Sequence, residues 1–207
     1  MLSIVTTLYR DSGLTAVTLN NIMASATIPY EHIIVDNGPE TAGCPQMPHV
    51  RYYRHETDCL AAAWNFGVSK ARADHIMVIG PGVFTSMGWD SVAYDCLINN
   101  AIIGQRMRQR LTPYLEGWCF GFNRAVFEKV GTFDEDFKPC FYEDTEWCAR
   151  AYHLDVPLQA VNLGASHERS GIIRQFLTTE EIVAIDKRNG KLYEEKVNAF
   201  THRRTLP

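Results

Sequence analysis

Three short β-branched runs, each cut off by turn-forming residues and separated by stretches of helical spacing, constrain this chain more than any other feature. Ser3–Leu8 (SIVTTL), His32–Asp36 (HIIVD) and His75–Ile79 (HIMVI) read as strands. After the first, Ala16, Leu19, Ile22 and Met23 keep helical spacing behind Ser12 as a cap, and Pro29 stops that connection. Val50–Arg54 reads as a further short strand. Leu60, Ala63, Trp64, Gly67, Val68 and Ala71 then recur at helical spacing, with Asp58 as the expected cap. Such alternation predicts an α/β fold with a mostly parallel central sheet and helices on both faces. Ligands bind such sheets beyond the carboxyl ends of the strands. Here those ends carry Asp36-Asn37-Gly38 and Gly80-Pro81-Gly82.

The second half predicts a strand over Trp118–Asn123, a helix over Arg124–Val130 stopped by Gly131, a helix over Glu143–Tyr152 and a last strand over Leu158–Val161. Thr178-x-x-Glu181 is a capping box opening a helix that Gly190 is expected to end. A length of 207 residues suits one core. The expectation is one domain over residues 1–171 with a helical tail, 172–207, packed on it. No apolar run approaches the roughly 18 residues needed to cross a bilayer. No basic region precedes an apolar stretch at the N-terminus. The expected compartment is therefore the cytoplasm, with the six cysteines reduced and, lacking a CxxC pair, not holding zinc. A net charge of −4 gives no general attraction to nucleic acid or to an anionic membrane.

Taken in order, SIVTTLYRD…HIIVDNG, CLAAAWNFGVSKARADHIMVIGPGV and GWCFGFNRAVFEKVGTFDEDFKPCFYEDTEWCARA resemble the family 2 type of GT-A glycosyltransferases, from about Ser3 to Gly171. The resemblance implies a single GT-A, Rossmann-like domain. It also implies inverting transfer from a nucleotide-diphosphate sugar to a glycan, protein or other hydroxyl acceptor. Thr6 and Asp36 match the residues that hold base and ribose, and Asn65 matches a helix asparagine, although Trp64 replaces the usual basic residue before it. Asp144 of the pair Glu143-Asp144 matches the catalytic base, with Glu143 shaping the acceptor site. Trp118 and Phe120 fall in the stretch beneath donor sugar and acceptor. His167, followed by Arg169, falls on the phosphate side, and Gly80 and Gly82 belong to the turn at the same edge.

The residues taken alone leave alternatives open. Asp36 accepts from a base imino N–H or a ribose hydroxyl, or simply makes a turn. A carboxylate with a reference pKa of about 4 takes a proton late in a transfer, yet acidic residues also cap and compensate helix starts. Trp118 and Phe120 stack on a sugar or fill the core. His167 donates to phosphate or is structural. Arg106-Met107-Arg108-Gln109-Arg110 is a solvated edge or a clamp on an anion.

One departure from the family stands out. Where a DxD set normally holds a divalent ion, this chain reads Gly80-Pro81-Gly82, which carries no ligand atom beyond the backbone carbonyls. The expectation is no metal site, no required cofactor and metal-independent transfer. A non-catalytic sugar-nucleotide or carbohydrate-binding module is the alternative. A nucleotidyltransferase is a further one, disfavoured because the loop Tyr9–Gly13 has one glycine and one arginine.

Overall fold

The computed structural model describes residues 1–10, 12–41, 43, 47–167 and 175–204. Strands β1 (Leu2–Leu8), β2 (Tyr30–Asp36), β3 (Val50–Arg54) and β4 (His75–Ile79) pair in parallel. Helices α1 (Ser12–Ser25) and α2 (Leu60–Lys70) connect them. Next come β5 (Val83–Phe84), α3 (Trp89–Leu97), β6 (Ile102–Gly104) and a hairpin of β7 (Met107–Gln109) and β8 (Pro113–Leu115). The chain continues through β9 (Cys119–Asn123), α4 (Arg124–Val130), α5 (Glu143–His153), β10 (Leu158–Ala160), β11 (Ser166–His167) and α6 (Thr179–Arg204).

The central sheet has the order β10-β6-β9-β4-β1-β2-β3, with β9 antiparallel to both its neighbours. From β1 the chain steps outward to β2 and β3, then returns to place β4 on the other side of β1. That reversal is a topological switch point, where a crevice opens beyond the strand ends. Val5, Val35 and Val78 pack on one face against Trp64 and Val68 of α2 and Trp147 of α5. Ile4, Met77 and Ile79 pack on the other against Ile22 of α1 and Trp89, Ala93 and Leu97 of α3. Every residue of β1 is buried. A strand covered on both faces reads as a continuous apolar run rather than an alternating one, which is why SIVTTL was visible.

Two expected helix signals act differently. Asp58 does not cap α2: the N-cap is Cys59, without a side-chain bond. Thr57 Oγ1 accepts the Cys59 N–H at 3.1 Å and the Pro139 carbonyl accepts the Leu60 N–H at 2.8 Å. Gly190 does not end the tail helix either, since α6 runs through it to Arg204. The capping box does form: Glu181 Oε2 accepts the Thr178 N–H at 2.8 Å and Thr178 Oγ1 accepts the Glu181 N–H at 3.2 Å. Tyr193 and Val197 of α6 pack against Phe137, Tyr142 and Ala149, so the tail covers the start of α5. Among the described residues no helix is long and apolar enough to cross a membrane.

Candidate active site

A cleft of about 620 Å³ opens at the carboxyl ends of β1 and β4. The strand ends contribute Thr7, Tyr9, Arg10, Asn37, Gly80 and Pro81. Opposite them stand Gly117 and Trp118, which lead into β9, and Glu143, Asp144 and Thr145, which open α5. Phe176 and Leu177, just before α6, close one side; the Phe176 ring lies 5.7 Å from that of Tyr9, edge to face.

Asp144 is held from both sides. Its Oδ2 accepts the Gly117 N–H at 2.7 Å, and its Oδ1 accepts the Thr145 N–H at 2.6 Å and hydroxyl at 3.0 Å. Only glycine permits the Gly117 approach, because a Cβ there would stand 2.6 Å from Trp64 Cη2 and 3.1 Å from the Asp144 carboxylate. Burial pushes the Asp144 pKa up, against the pull of the Gly117 and Thr145 donors. A carboxylate so placed is a stronger base than one in water while its direction stays fixed.

Glu143 precedes it and is more deeply buried, with Oε2 lacking a hydrogen-bond partner. Burial first, and the Asp144 charge second, hold its carboxyl well above the usual range. Of the two adjacent acids, Glu143 therefore takes a proton first, and Asp144, with its donors, carries the charge. The turn delivering the pair is strained: Phe141 and Tyr142 are both left-handed, at φ 74° and 75°.

The cleft thus brings together Glu143, Asp144, Trp118, Gly80 and His167 of the residues singled out from sequence. His167 sits on β11 opposite Val83 of β5, beside the Gly80–Gly82 turn, and stacks on Trp118 with centroids 5.4 Å apart. The Trp118 indole N–H is taken by Glu116 Oε2 at 2.7 Å.

Others of the expected set lie off the cleft. Thr6 is wholly buried, its hydroxyl donating to the Ile79 carbonyl at 2.8 Å and bonded to His32 Nε2 at 2.8 Å. Asp36 is also wholly buried, accepting from Tyr52 and from Arg54 at 3.3 Å. Asn65 clamps the Phe133 backbone, donating to its carbonyl and accepting its N–H, both at 2.9 Å. Phe120 is a core residue, 0% exposed and packed on Trp64, Phe133 and Trp147. The Gly82 N–H is spent on Thr18 Oγ1 at 2.9 Å. Arg169 lies outside the described residues.

Two residues that the sequence reading passed over face the cleft instead. Thr7 and Asn37 each sit one position beyond an expected contact. Asn37 is 6% exposed and its Oδ1 has no hydrogen-bond partner among the described residues, while its Nδ2 donates to the Thr57 carbonyl at 3.3 Å. An acceptor buried in a cleft wall without a donor is costly unless a ligand supplies one. The signal lay in the strand period: adjacent residues point to opposite sides, so a shift of one exchanges buried for presented.

Among the described residues of the cleft no donor set suited to a divalent ion is grouped. The turn after β4 offers backbone alone, His167 is a single imidazole, and among the described residues no three His, Cys, Asp or Glu side chains group as a cation site. The cations of the 106–110 stretch are split. Arg106 and Arg108 pair with Glu116 at 3.8 and 2.8 Å on the hairpin. Arg110 lines the cleft, with its guanidinium 4.3 Å from the Tyr142 ring centre and donating to that hydroxyl at 2.7 Å.

No family model matches this chain, and no curated protein matches it in sequence. Solved structures do match its fold. The mannosyltransferase PcManGT from Pyrobaculum calidifontis, in complex with GDP-Man and Mn2+, superposes over 77% of this chain with a TM-score of 0.65 at 16% identity. GalNAc-T7 with UDP, GalNAc and Mn2+ superposes over 81% with a TM-score of 0.67 at 11% identity. TarS of S. aureus superposes over 77% with a TM-score of 0.57 at 13% identity. The present chain spans 54%, 43% and 35% of those three chains, about half or less of each. With its seven-stranded mixed sheet, its cleft at the switch point and these neighbours, the chain has the GT-A glycosyltransferase fold.

Proposed function

We propose that this protein is an inverting glycosyltransferase of the family 2 type that takes a nucleotide-diphosphate sugar and transfers the sugar to a hydroxyl acceptor. The observation that carries the reading is Asp144: a carboxylate fixed by the Gly117 and Thr145 donors, facing a cleft at the switch point of a GT-A sheet. The nucleotide sits against Thr7, Tyr9 and Asn37, where the free carbonyl of Asn37 accepts a base N–H. The acceptor enters from the side of Tyr114, Tyr142 and Arg110. Asp144 takes the proton of its hydroxyl as that oxygen bonds the anomeric carbon. The bond from that carbon to the diphosphate oxygen breaks on the opposite face, and the nucleoside diphosphate leaves.

The leaving charge needs preorganised donors. His167 and Arg10 are the proposed ones, with Arg169, two positions after His167 in the sequence and outside the described residues, as a third, and the poor fit of the Gly80–Gly82 turn to a divalent ion supports transfer without metal. Thermal-shift screening against nucleotide sugars tests the donor half. A true donor at a hundred times its Kd adds about 2.7 kcal/mol of stability, whereas no shift across uridine, guanosine, adenosine, cytidine and thymidine donors contradicts the reading. Binding without turnover against a broad acceptor panel would instead favour a sugar-nucleotide-binding module.

A further inference from the structure

Helix α6 follows the segment that resembles a glycosyltransferase, yet its inner side is tied to the turn that delivers Asp144. Asn189 is wholly buried, and its amide donates to the carbonyls of Cys140 at 2.9 Å, Phe141 at 3.1 Å and Lys138 at 3.3 Å. These carbonyls belong to the turn in which Phe141 and Tyr142 adopt left-handed backbone immediately before Glu143. Such backbone is strained and persists only where the surroundings over-determine it. Further ties from α6 surround this one. Lys196 pairs with Asp134 and, at 2.9 Å, with Asp136, and the Tyr193 hydroxyl meets Thr112 Oγ1 at 3.2 Å. Gly190 passes so close to the Tyr142 ring that a Cβ would stand 2.9 Å from its hydroxyl oxygen. Asparagine and glycine side by side in a helix interior weaken it. Here each has a use that only the 138–142 turn explains.

We infer that Asn189 is a positioning residue for the transfer reaction: its amide ties the 138–142 turn to α6 and so fixes the direction in which α5 presents Asp144 to the cleft. The inference rests on Asp144 as the base, and its test keeps the two apart. Asn189→Ala removes the donor from three carbonyls. Gly190→Ala favours the helix intrinsically while its Cβ presses on the Tyr142 hydroxyl that Arg110 donates to. In both variants kcat falls at least about tenfold with donor KM within about twofold, as expected when a reacting group is misaimed. In Asn189→Ala the amides of residues 140–145 also exchange faster while those of β1 and β4 keep their protection.

Unchanged kcat in the folded variants overturns the inference, and so does faster exchange spread evenly over the sheet. If Asn189→Ala fails to fold, Asn189→Ser carries the test, because it shortens the donor away from the three carbonyls with less loss of volume, and a purely structural role predicts lower stability with unchanged turnover per folded molecule. Asp144→Asn measured alongside separates the failures. Loss of turnover in Asp144→Asn alone contradicts the role of Asn189. Full turnover in Asp144→Asn, with local exchange still faster in Asn189→Ala, contradicts the base assignment and leaves the tie.

Discussion

The carboxylate of Asp36 accepts the hydroxyl of Tyr52 and, from the other side, the guanidinium of Arg54, which leaves the next residue, Asn37, to face the cleft. β2 and β3 are tied together at their carboxyl ends by this acid, and the cleft wall is set one residue further on.

The two positions therefore respond differently to truncation. Asp36→Ala removes the carboxylate that takes the Tyr52 hydroxyl and the Arg54 guanidinium, although Arg54 keeps the residue-36 carbonyl at 3.0 Å, so its main effect is a loss of about 1–3 kcal/mol of stability. Asn37→Ala removes an acceptor that has no partner among the described residues, and with it only the 3.3 Å donation to the Thr57 carbonyl, so stability falls less than in Asp36→Ala while nucleoside-diphosphate affinity falls about tenfold, the scale of one neutral hydrogen bond. Denaturant titration together with calorimetric binding measures both. An Asn37→Ala protein that binds as tightly as the parent contradicts the assignment.

A second prediction concerns acid. His32 is buried in the sheet beside Thr6, and burial pulls its pKa from 6.5 down to about 3. The folded state thus holds a neutral ring that the unfolded chain protonates below about pH 6.5. The stability it contributes is fully present above that pH and is lost as pH falls toward 3. The slope reaches about 1.4 kcal/mol per pH unit. His32→Asn removes the titration, so its stability falls less steeply than the parent's between pH 6.5 and 3. Parallel curves would show that His32 is not the group.

Much of the scaffold was legible because buried parallel strands announce themselves. β3, β4 and α4 fall on the residues their composition and spacing predict. The elements that escaped are those whose residues are chosen by neighbours. The hairpin strand β7 lies in the 106–110 stretch, read only as a solvated edge or an anion clamp, and β8 with Pro113 drew no expectation. Gly190 looked like a helix stop because a glycine required for close packing and one required for a turn look alike in a sequence. In the site, Glu143 and Asp144 were readable as an acidic pair at a helix start. Thr7 and Asn37 were not, since which of two adjacent polar residues faces the ligand depends on how the strand is seated. Phe120 became core because Trp64, Phe133 and Trp147 surround it.

A third prediction addresses the missing acidic set after β4. On the proposed metal-independent transfer, turnover after exhaustive treatment with EDTA stays within about twofold of the untreated value, whereas loss of a bound metal would remove several kcal/mol of stabilisation. His167→Ala, which removes a ring at the mouth of the Gly80–Gly82 turn, lowers kcat about tenfold or more, the order of one lost donor to a developing charge. Activity abolished by EDTA and restored by Mn2+ or Mg2+ contradicts this account.

The assignment of Asp144 as base is tested most directly by Asp144→Asn. The amide keeps the size of the side chain and an oxygen for the Gly117 N–H but turns its NH2 toward the Thr145 N–H, so some stability is lost while the residues on the donor side of the cleft are untouched. With a cognate donor and acceptor in hand, single-turnover transfer by Asp144→Asn falls on the order of 10²-fold or more with donor affinity retained. Transfer at close to the parent rate, with the same donor affinity, would show that Asp144 is not the base.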